Sequence, residues 1–262
     1  MTIRYGISLL ALVLGGQGVR SQELHSIPGT FDTFTTDELG NVYAISGDVL
    51  TLYDTQGHEV ARNSVKTMGR ITQMDAFYSL KPMLFSAEQG QLAVLDNTLS
   101  VQTVLNLARS GFQQVSLACM SVQNAFWFFN DREMELVRVD AQLRPLANTG
   151  RLDQLLGFAV RPTGMQEHDN RLYVNVPSEG ILVFDLFGTY DRTIPLKEVS
   201  SFEVRGGSIH HLVAGMHRTY DRRSFDIHNV DIEGTLTTLR DVRVERGRTY
   251  VLLDDRIAVL QR

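Results

Sequence analysis

Residues 169–196 read DNRLYVNVPSEGILVFDLFGTYDRTIPL, and this stretch contains the elements of a small antiparallel sheet. An apolar run, RLYVN at 171–175, is followed by a polar turn and a second apolar run, ILVFD at 181–185. A turn at Gly188 then leads into the more polar segment YDRTIPL at 190–196. Runs rich in β-branched and aromatic residues that are separated by Gly, Asn and Asp indicate strands. The stretch therefore predicts three consecutive strands of one sheet.

The second of these runs recurs along the chain, and each copy ends in an aspartate. The copies are LTLYD, QLAVLD, ELVRVD, ILVFD and DIHNVD, with terminal residues Asp54, Asp96, Asp140, Asp185 and Asp231. Successive aspartates are 42, 44, 45 and 46 residues apart, and RIAVLQR places Gln261 at a sixth equivalent position. Each copy has an apolar partner run before it, a weaker strand further upstream and a polar strand after it. A unit of four strands that repeats every ~40–50 residues is typical of a β-propeller blade.

The two ends of the repeated region complement each other. No residues remain after Gln261 for a fourth strand of the sixth unit, whereas an extra strand, ELHSI at 23–27, precedes the first unit. We therefore predict an all-β fold, a six-bladed β-propeller in which the N-terminal strand closes the last blade and hides its edge. A two-sheet sandwich is the alternative all-β fold, but it explains neither the count of six nor the complementary ends.

Two stretches, residues 169–196 and DELGNVYAISGDVLTLYDTQGHEV at 37–60, resemble the NHL-type repeat of six-bladed propellers. Each has a small polar start, a strand such as LYV, a polar turn, a strand ending in Asp, and a turn that contains glycine. The other four units match this pattern loosely. The resemblance implies the propeller fold. Its family includes binding modules, sensor domains and some enzymes, so the fold alone does not select a function.

The first 21 residues have the pattern of a secretory signal peptide. Arg4 precedes an apolar run at 7–14, and Val19 and Ser21 fit the small-residue positions of a cleavage site. We predict a signal peptide at 1–21, cleavage near Ser21, one propeller domain at 22–262, and a periplasmic or secreted location. The segment removed contains two arginines and no acid, so the remainder carries 23 basic and 30 acidic residues and a net charge of −7.

Charge and hydropathy restrict the partners that we expect. Mild acidity disfavours nucleic acid and anionic membranes, and no later stretch is apolar for long enough to span a bilayer. Cys119 is the single cysteine, and its surroundings SLACMSV predict a core position rather than a nucleophile. We predict a protein or glycan partner, no nucleic-acid partner, no transmembrane segment and a monomer in the absence of that partner.

No motif of the sequence assigns catalytic or metal-binding residues. The cluster of His210, His211 and His217 is interpreted as edge and turn histidines, because adjacent strand residues face opposite sides and cannot ligate one ion together. Six-bladed calcium-dependent lactonases resemble the predicted architecture and bind calcium through oxygen ligands at the channel mouth. Acidic residues are available on the predicted inner strands, although their roles cannot be assigned one by one: Asp32, Asp75, Glu167, Glu203 and Glu245. We predict no cofactor, with calcium as the one to test.

A basic residue lies in each of five connections that lead from an outer strand to the next inner strand. These candidate ligand-binding residues are Arg70, Arg109, Arg161, Lys197 and Arg240. Such connections share one face of a propeller, so the five side chains could bind a carboxylate or a sulfated glycan. Arginine is frequent in this chain, and chance placement is the competing interpretation. The sequence favours a non-catalytic binding or scaffold module of the bacterial envelope, with a lactonase- or lyase-type enzyme that uses the channel as the alternative.

Overall fold

The computed structural model describes residues 22–76, 81–230, 232 and 239–261. Its strands form six four-stranded antiparallel sheets, and the predicted six-bladed β-propeller is confirmed. The proposed signal peptide at 1–21 lies outside the described residues. A short helix, α1 (Leu152–Leu156), lies in the connection between the third and fourth blades. Among the described residues, no helix has the length and apolar character that crossing a membrane requires.

Each blade has an inner strand that borders the central channel and a second strand that pairs with it. The inner strands of blades one to six are β2 (Thr33–Thr36), β6 (Gln73–Asp75), β10 (Val115–Ser121), β14 (Gly164–His168), β18 (Val199–Arg205) and β22 (Asp241–Glu245). The second strands are β3 (Val42–Ser46), β7 (Met83–Ser86), β11 (Ala125–Asn130), β15 (Arg171–Val176), β19 (Ser208–Val213) and β23 (Arg248–Leu252).

The third and fourth strands complete each blade toward the outside. The third strands are β4 (Val49–Tyr53), β8 (Gln91–Leu95), β12 (Glu135–Val139), β16 (Gly180–Asp185), β20 (Met216–Asp221) and β24 (Arg256–Gln261). The outer strands of the first five blades are β5 (Glu59–Ser64), β9 (Val101–Asn106), β13 (Pro145–Asn148), β17 (Tyr190–Ile194) and β21 (Ile227–Asn229). Three 3-10 helices also lie in the described residues, at Lys66–Met68, Ala108–Ser110 and Val122–Asn124.

The sixth blade is completed by the start of the described chain, as the sequence predicts. Strand β1 (Gln22–Pro28) pairs antiparallel with β24, and the register runs from Gln22 opposite Gln261 to Pro28 opposite Arg256. Ile27 packs in a cluster that joins this blade to the first blade. The pairing covers the edge of β24, which would otherwise be open to another chain.

The hydrophobic core lies between the blades. The described residues form six clusters, and each is built from two adjacent blades, including the pair formed by the sixth and the first. Trp127 and Phe129 face the fourth blade, whereas Phe126 and Phe128 face the second, because successive strand residues alternate in direction. This aromatic run is therefore core packing, as its position in a second strand predicts. Burial on both faces explains why the second strands are nearly continuously apolar.

The repeated aspartate closes the turn between the third and the outer strand. The Oδ1 atom of Asp54 accepts hydrogen bonds from the backbone N–H groups of residues 56 and 58, at 2.8 and 2.9 Å. Asp96, Asp140 and Asp185 repeat this geometry in the next three blades. The third residue after the aspartate has positive φ. It is Gly57 in blade one and Gly188 in blade four, but the left-handed position is held by Leu99 and Leu143 in blades two and three.

These turns make stability depend on acidity. Hydrogen bonds from backbone N–H groups lower the pKa of Asp54, Asp140 and Asp221, and bonds from Thr98 and the backbone do so for Asp96. A carboxylate with a lowered folded-state pKa contributes stability above the unfolded value of about 3.9 and loses it as the pH falls through the folded value. We expect the thermal midpoint to fall between about pH 5 and pH 2. The double variant Asp96→Asn, Asp140→Asn keeps an oxygen for the backbone bonds and does not titrate, although it loses the bonds from Gln102 and Arg144 to Oδ2. It should therefore show a flatter profile by circular dichroism; an unchanged slope would contradict this origin.

Blade five corrects one assignment made from the sequence. The segment DIHNVD at 226–231 is predicted to be a third strand, but residues Ile227–Asn229 form the outer strand, and the third strand is β20. The turn is closed by Asp221, which accepts hydrogen bonds from the N–H groups of residues 223 and 224. The spacing of 46 residues to Asp231, which lies outside the described residues, was therefore coincidental. A tight turn at Ala214 and Gly215, both with positive φ, starts the third strand early.

Candidate ligand site in the central channel

The inner strands of the six blades surround a cavity of about 290 Å³ at the axis of the propeller. Most of its lining is polar: hydroxyl groups of threonine and serine, the amides of Gln73, Gln166 and Asn175, and six charged side chains. The charged side chains are Asp75, Glu203, Arg205, Arg240, Asp241 and Arg243. This set contains three acids and three arginines, so its formal charges cancel and the cavity wall offers both hydrogen-bond donors and acceptors.

The polar residues of the inner strands have a structural reason to be there. An inner strand has a free edge, and its backbone groups need partners that the sheet does not supply. Asp75 accepts a hydrogen bond from the N–H group of Met120 in the next blade at 3.0 Å, and Gln166 accepts one from Val204 at 2.7 Å. Gln73 bonds Ala118 in the same way. These side chains join neighbouring blades, and the same requirement gives the channel its polar wall.

A network of charged side chains joins the inner strands of blades five and six at the wall of the channel. Arg205 lies 2.9 Å from Glu203 and 3.2 Å from Glu245 of the next blade, and Arg243 lies 2.6 Å from Asp241. Burial raises the pKa of Glu203, and the charges of Arg205 and Arg243 offset only part of that effect. Burial alone would lower the pKa of Arg243, but Asp241 and Glu203 outweigh it and hold that pKa above its usual value. Of these three ion pairs, the one between Arg205 and Glu245 joins the inner strands of two neighbouring blades.

Two buried, uncharged polar atoms of cavity-lining side chains have no hydrogen-bond partner among the residues that the structure describes. They are Oγ1 of Thr36 and Oδ1 of Asn175, in side chains that are 2% and 1% exposed. The amide nitrogen of Asn175 is fully used, because it donates to Thr163 Oγ1 at 2.9 Å and to the carbonyl of Val199 at 2.8 Å. A buried polar atom without a partner is costly, and a ligand or water in the cavity is the usual explanation. Neither residue was identified from the sequence, because hydroxyl and amide side chains on strands have no distinguishing motif.

The five basic residues proposed from the sequence are all exposed and lie in the connections that enter the inner strands. Because every inner strand starts at the same face, the topology places Arg70, Arg109, Arg161, Lys197 and Arg240 on that face. Arg240 lines the cavity, and its guanidinium donates to the carbonyl of Phe31 at 2.9 Å. The other four do not line the cavity. Whether they bind a ligand stays a prediction.

The histidines differ from their interpretation as edge and turn residues. His210 and His211 lie in the second strand of blade five and His217 in the third, and all three are buried. Nδ1 of His210 lies 3.3 Å from Nε2 of His217, whereas His211 faces the opposite side, where burial lowers its pKa. The sequence error follows from the misplaced third strand. In the described part of the chain, no group of three or more His, Cys, Asp or Glu side chains is arranged to hold a metal ion.

Glu167 forms a different junction, between blades three and four. Its carboxylate accepts hydrogen bonds from Ser121 Oγ at 2.5 Å, from the N–H group of Val122 at 2.9 Å and from Trp127 Nε1 at 2.7 Å. Arg138 adds to the junction by donating to Ser121 Oγ at 2.7 Å. Three donors from one blade thus meet one carboxylate of the next. This acid, one of the conceivable calcium ligands of the sequence, serves here to fasten two blades.

Comparisons with known proteins establish the fold of the chain but not its family. No protein-family model matches the chain, and no curated protein matches it. Among solved structures, a streptogramin B lyase superposes with a TM-score of 0.64 at 10% identity, covering 92% of this chain and 96% of that chain. The WD40 domain of Pan2 from Neurospora crassa gives 0.67 at 5% identity, covering 92% and 95%. A catalytically inactive virginiamycin B lyase from Staphylococcus aureus, with quinupristin, gives 0.63 at 9%, covering 92% and 98%. The chain is thus a six-bladed β-propeller. At identities of 5–10%, the similarity to lyases and to a WD40 domain does not decide between an enzyme and a binding module.

Proposed function

We propose that this protein is an exported, non-catalytic binding module that takes the end of a glycan into its central channel. The observation that carries the proposal is the polar cavity of about 290 Å³, which is lined by hydroxyl, amide and charged side chains and borders two orphaned polar atoms. Sugar hydroxyls donate and accept hydrogen bonds at once, and they match a wall that offers both. The proposal places the protein in the periplasm or outside the cell as a monomer, and in the NHL-repeat group of propellers.

Two cavity-lining positions allow the proposal to be tested without disturbing the inter-blade bonds. Gly164 has ordinary φ, and a Cβ there would contact only Phe202, at 3.6 Å. Because that contact is an ordinary van der Waals distance and Gly164 lines the cavity, we expect a leucine there to occupy part of the channel and to be tolerated by the fold. Gly207 is the matched control, because it lies in a turn, also has ordinary φ and has open space around it. Thr36→Val removes the orphaned hydroxyl while it preserves the shape of the side chain.

We expect Gly164→Leu to weaken glycan binding more than about tenfold and Gly207→Leu to leave it unchanged. Thr36→Val should weaken binding by roughly two- to tenfold, the value of one hydrogen bond between neutral groups, while its thermal midpoint stays the same or rises. The measurement is screening of the purified protein on neutral, uronate-bearing and sulfated oligosaccharides, followed by calorimetry with the best ligand. If both leucine variants bind equally well, the glycan does not occupy the channel.

Catalysis in the channel is a second candidate, and Glu203 is the observation that favours it. This buried carboxyl has a raised pKa and lines the cavity beside Arg205, a combination that occurs at catalytic sites. Its carboxylate also accepts a hydrogen bond from the N–H group of Val244, which is a structural role. Turnover of a lactone panel, measured with and without added calcium, that is lost in Glu203→Gln would favour a lactonase- or lyase-type enzyme over a binding module.

A further inference from the structure

A second polar cluster lies between blades four and five, away from the cavity. We call it the Tyr173 seam; it consists of Tyr173 and Arg192 of blade four and Tyr220 and Arg222 of blade five. Tyr173 lies near the start of a second strand, and Tyr220 and Arg222 lie at the end of a third strand. Strand direction therefore places the seam toward the face that is opposite the connections carrying Arg240.

Two donors of the seam have no acceptor in the part of the chain that the structure describes. The Cζ atom of Arg222 lies 5.4 Å from the centre of the Tyr173 ring, which is a cation–π distance. One guanidinium nitrogen of Arg222 donates to the carbonyl of Gly206 at 3.1 Å, but its Nε atom is buried without an acceptor. Tyr173 is 0% exposed, and its hydroxyl is also without an acceptor. Buried donors normally have partners, so an acceptor is expected at this position.

The seam contains two arginines that do not pair with any acid that the structure describes. Arg171, Arg192 and Arg222 all lie near enough to act on the Tyr173 hydroxyl. Arg171 is neutralised by Asp191 at 2.8 Å. In the described part of the chain, neither Arg192 nor Arg222 has a carboxylate within ion-pair distance. Two of the described acids act on the tyrosines of the seam, Asp169 on Tyr173 and Asp221 on Tyr220, but neither forms an ion pair with Arg192 or Arg222.

We propose that the Tyr173 seam binds a tetrahedral oxyanion, a phosphate or sulfate group, through the guanidinium groups of Arg192 and Arg222 and the hydroxyl of Tyr173. Guanidinium groups bind such anions through paired N–H donors, and a hydroxyl supplies a third donor. Burial raises the pKa of Tyr173, so its hydroxyl keeps the proton that it donates. The hydroxyl of Tyr173 is buried and the guanidinium of Arg222 lies over its ring, so the proposal requires the side chain of Arg222 to shift when the anion reaches the hydroxyl.

The test is a titration of the purified protein with inorganic phosphate or inorganic sulfate, at ionic strength held constant with chloride, followed by calorimetry and thermal unfolding. We expect saturable binding and a rise of the thermal midpoint with either anion. Tyr173→Phe should weaken binding about tenfold while the midpoint without anion stays the same or rises, because the variant keeps the ring and removes an unsatisfied donor. Arg192→Gln should weaken binding at least as much, because it removes a charge.

The control variant is Arg62→Gln, whose guanidinium is exposed on the outer strand of blade one and pairs with Glu59 at 2.7 Å. It should bind both anions as the unmodified protein does. Titration with glycerol phosphate compares a phosphate ester with the free ion, and saturable binding of either form that depends on Tyr173 supports the proposal. A midpoint that rises equally in Tyr173→Phe and Arg62→Gln, or no saturable binding of any of the three probes, would overturn it. Neither outcome bears on glycan binding in the channel.

Discussion

Replacement of Ile27 by aspartate should lower the free energy of unfolding by more than about 4 kcal/mol, because it puts an unpaired charge into an apolar cluster. Ile27 is 1% exposed and lies opposite Ile257 in the pairing that closes the ring. The same change removes the packing of β1 on the first blade. Denaturant unfolding followed by circular dichroism would measure the loss.

The control for this variant lies three residues away on the same strand. Leu24 is 46% exposed, so Leu24→Asp should change the free energy of unfolding by less than about 0.5 kcal/mol. Size-exclusion chromatography adds a second readout, because a strand that fails to close the sixth blade leaves β24 open to pairing with another copy. Equal stability of the two variants would mean that β1 does not hold the ring together.

The second large effect concerns Glu167, and we expect Glu167→Ala to cost about 2–4 kcal/mol of unfolding free energy. The change leaves Trp127 Nε1, the N–H group of Val122 and Ser121 Oγ without their shared acceptor. The fluorescence of Trp127, the single tryptophan of the chain, reports on this position directly. Denaturant titration of fluorescence and circular dichroism together would show whether blades three and four separate before the remainder unfolds.

Two comparison variants separate the hydrogen bonds of Glu167 from its charge. Glu167→Gln keeps one acceptor oxygen, but its NH2 group then faces the donors of Ser121, Val122 and Trp127. The loss of unfolding free energy should therefore be smaller than that of Glu167→Ala but greater than zero. Glu133→Ala removes an exposed acid whose ion pair with Arg132 spans 3.5 Å, and it should change stability by less than about 0.5 kcal/mol. If Glu167→Ala is as mild as Glu133→Ala, the junction does not fasten the two blades.

The fold was predictable from the sequence because a propeller repeats one local pattern. The aspartates that close the turns and the apolar second strands can both be recognised in the amino-acid sequence. The number of blades and the position of the closing strand follow from them. The pattern failed where local chemistry varied. In blade five, the strand Met216–Asp221 contains His217 and Arg218 and lacks the apolar run of the other third strands, yet His217 is buried on the face that packs against blade six. In blades two and three, Leu99 and Leu143 occupy the left-handed turn position that glycine holds in blades one and four.

The candidate sites were much less predictable than the fold. Sequence analysis selected basic residues in the connections, and of these Arg240 lines the cavity. Whether the polar atoms of Thr36 and Asn175 have a hydrogen-bond partner depends on which side chains surround them in the assembled ring. The same holds for Arg222, which meets Tyr173 from a neighbouring blade 49 residues further along the chain. Contacts between blades arise from packing, and no single-blade pattern encodes them.

The pairing of Gln22 with Gln261 also has a consequence for the order in which the molecule assembles. Blades one to five are each built from consecutive strands, so each can form without the rest of the chain. Strand β1 precedes all of them in the sequence, but its partner is the third strand of the sixth blade. Contacts of such high sequence separation form slowly, and unpaired edges are prone to association. We therefore expect ring closure to be the last step in the folding of the propeller, and β1 and the edge of β24 to be the surfaces that are open to association until then.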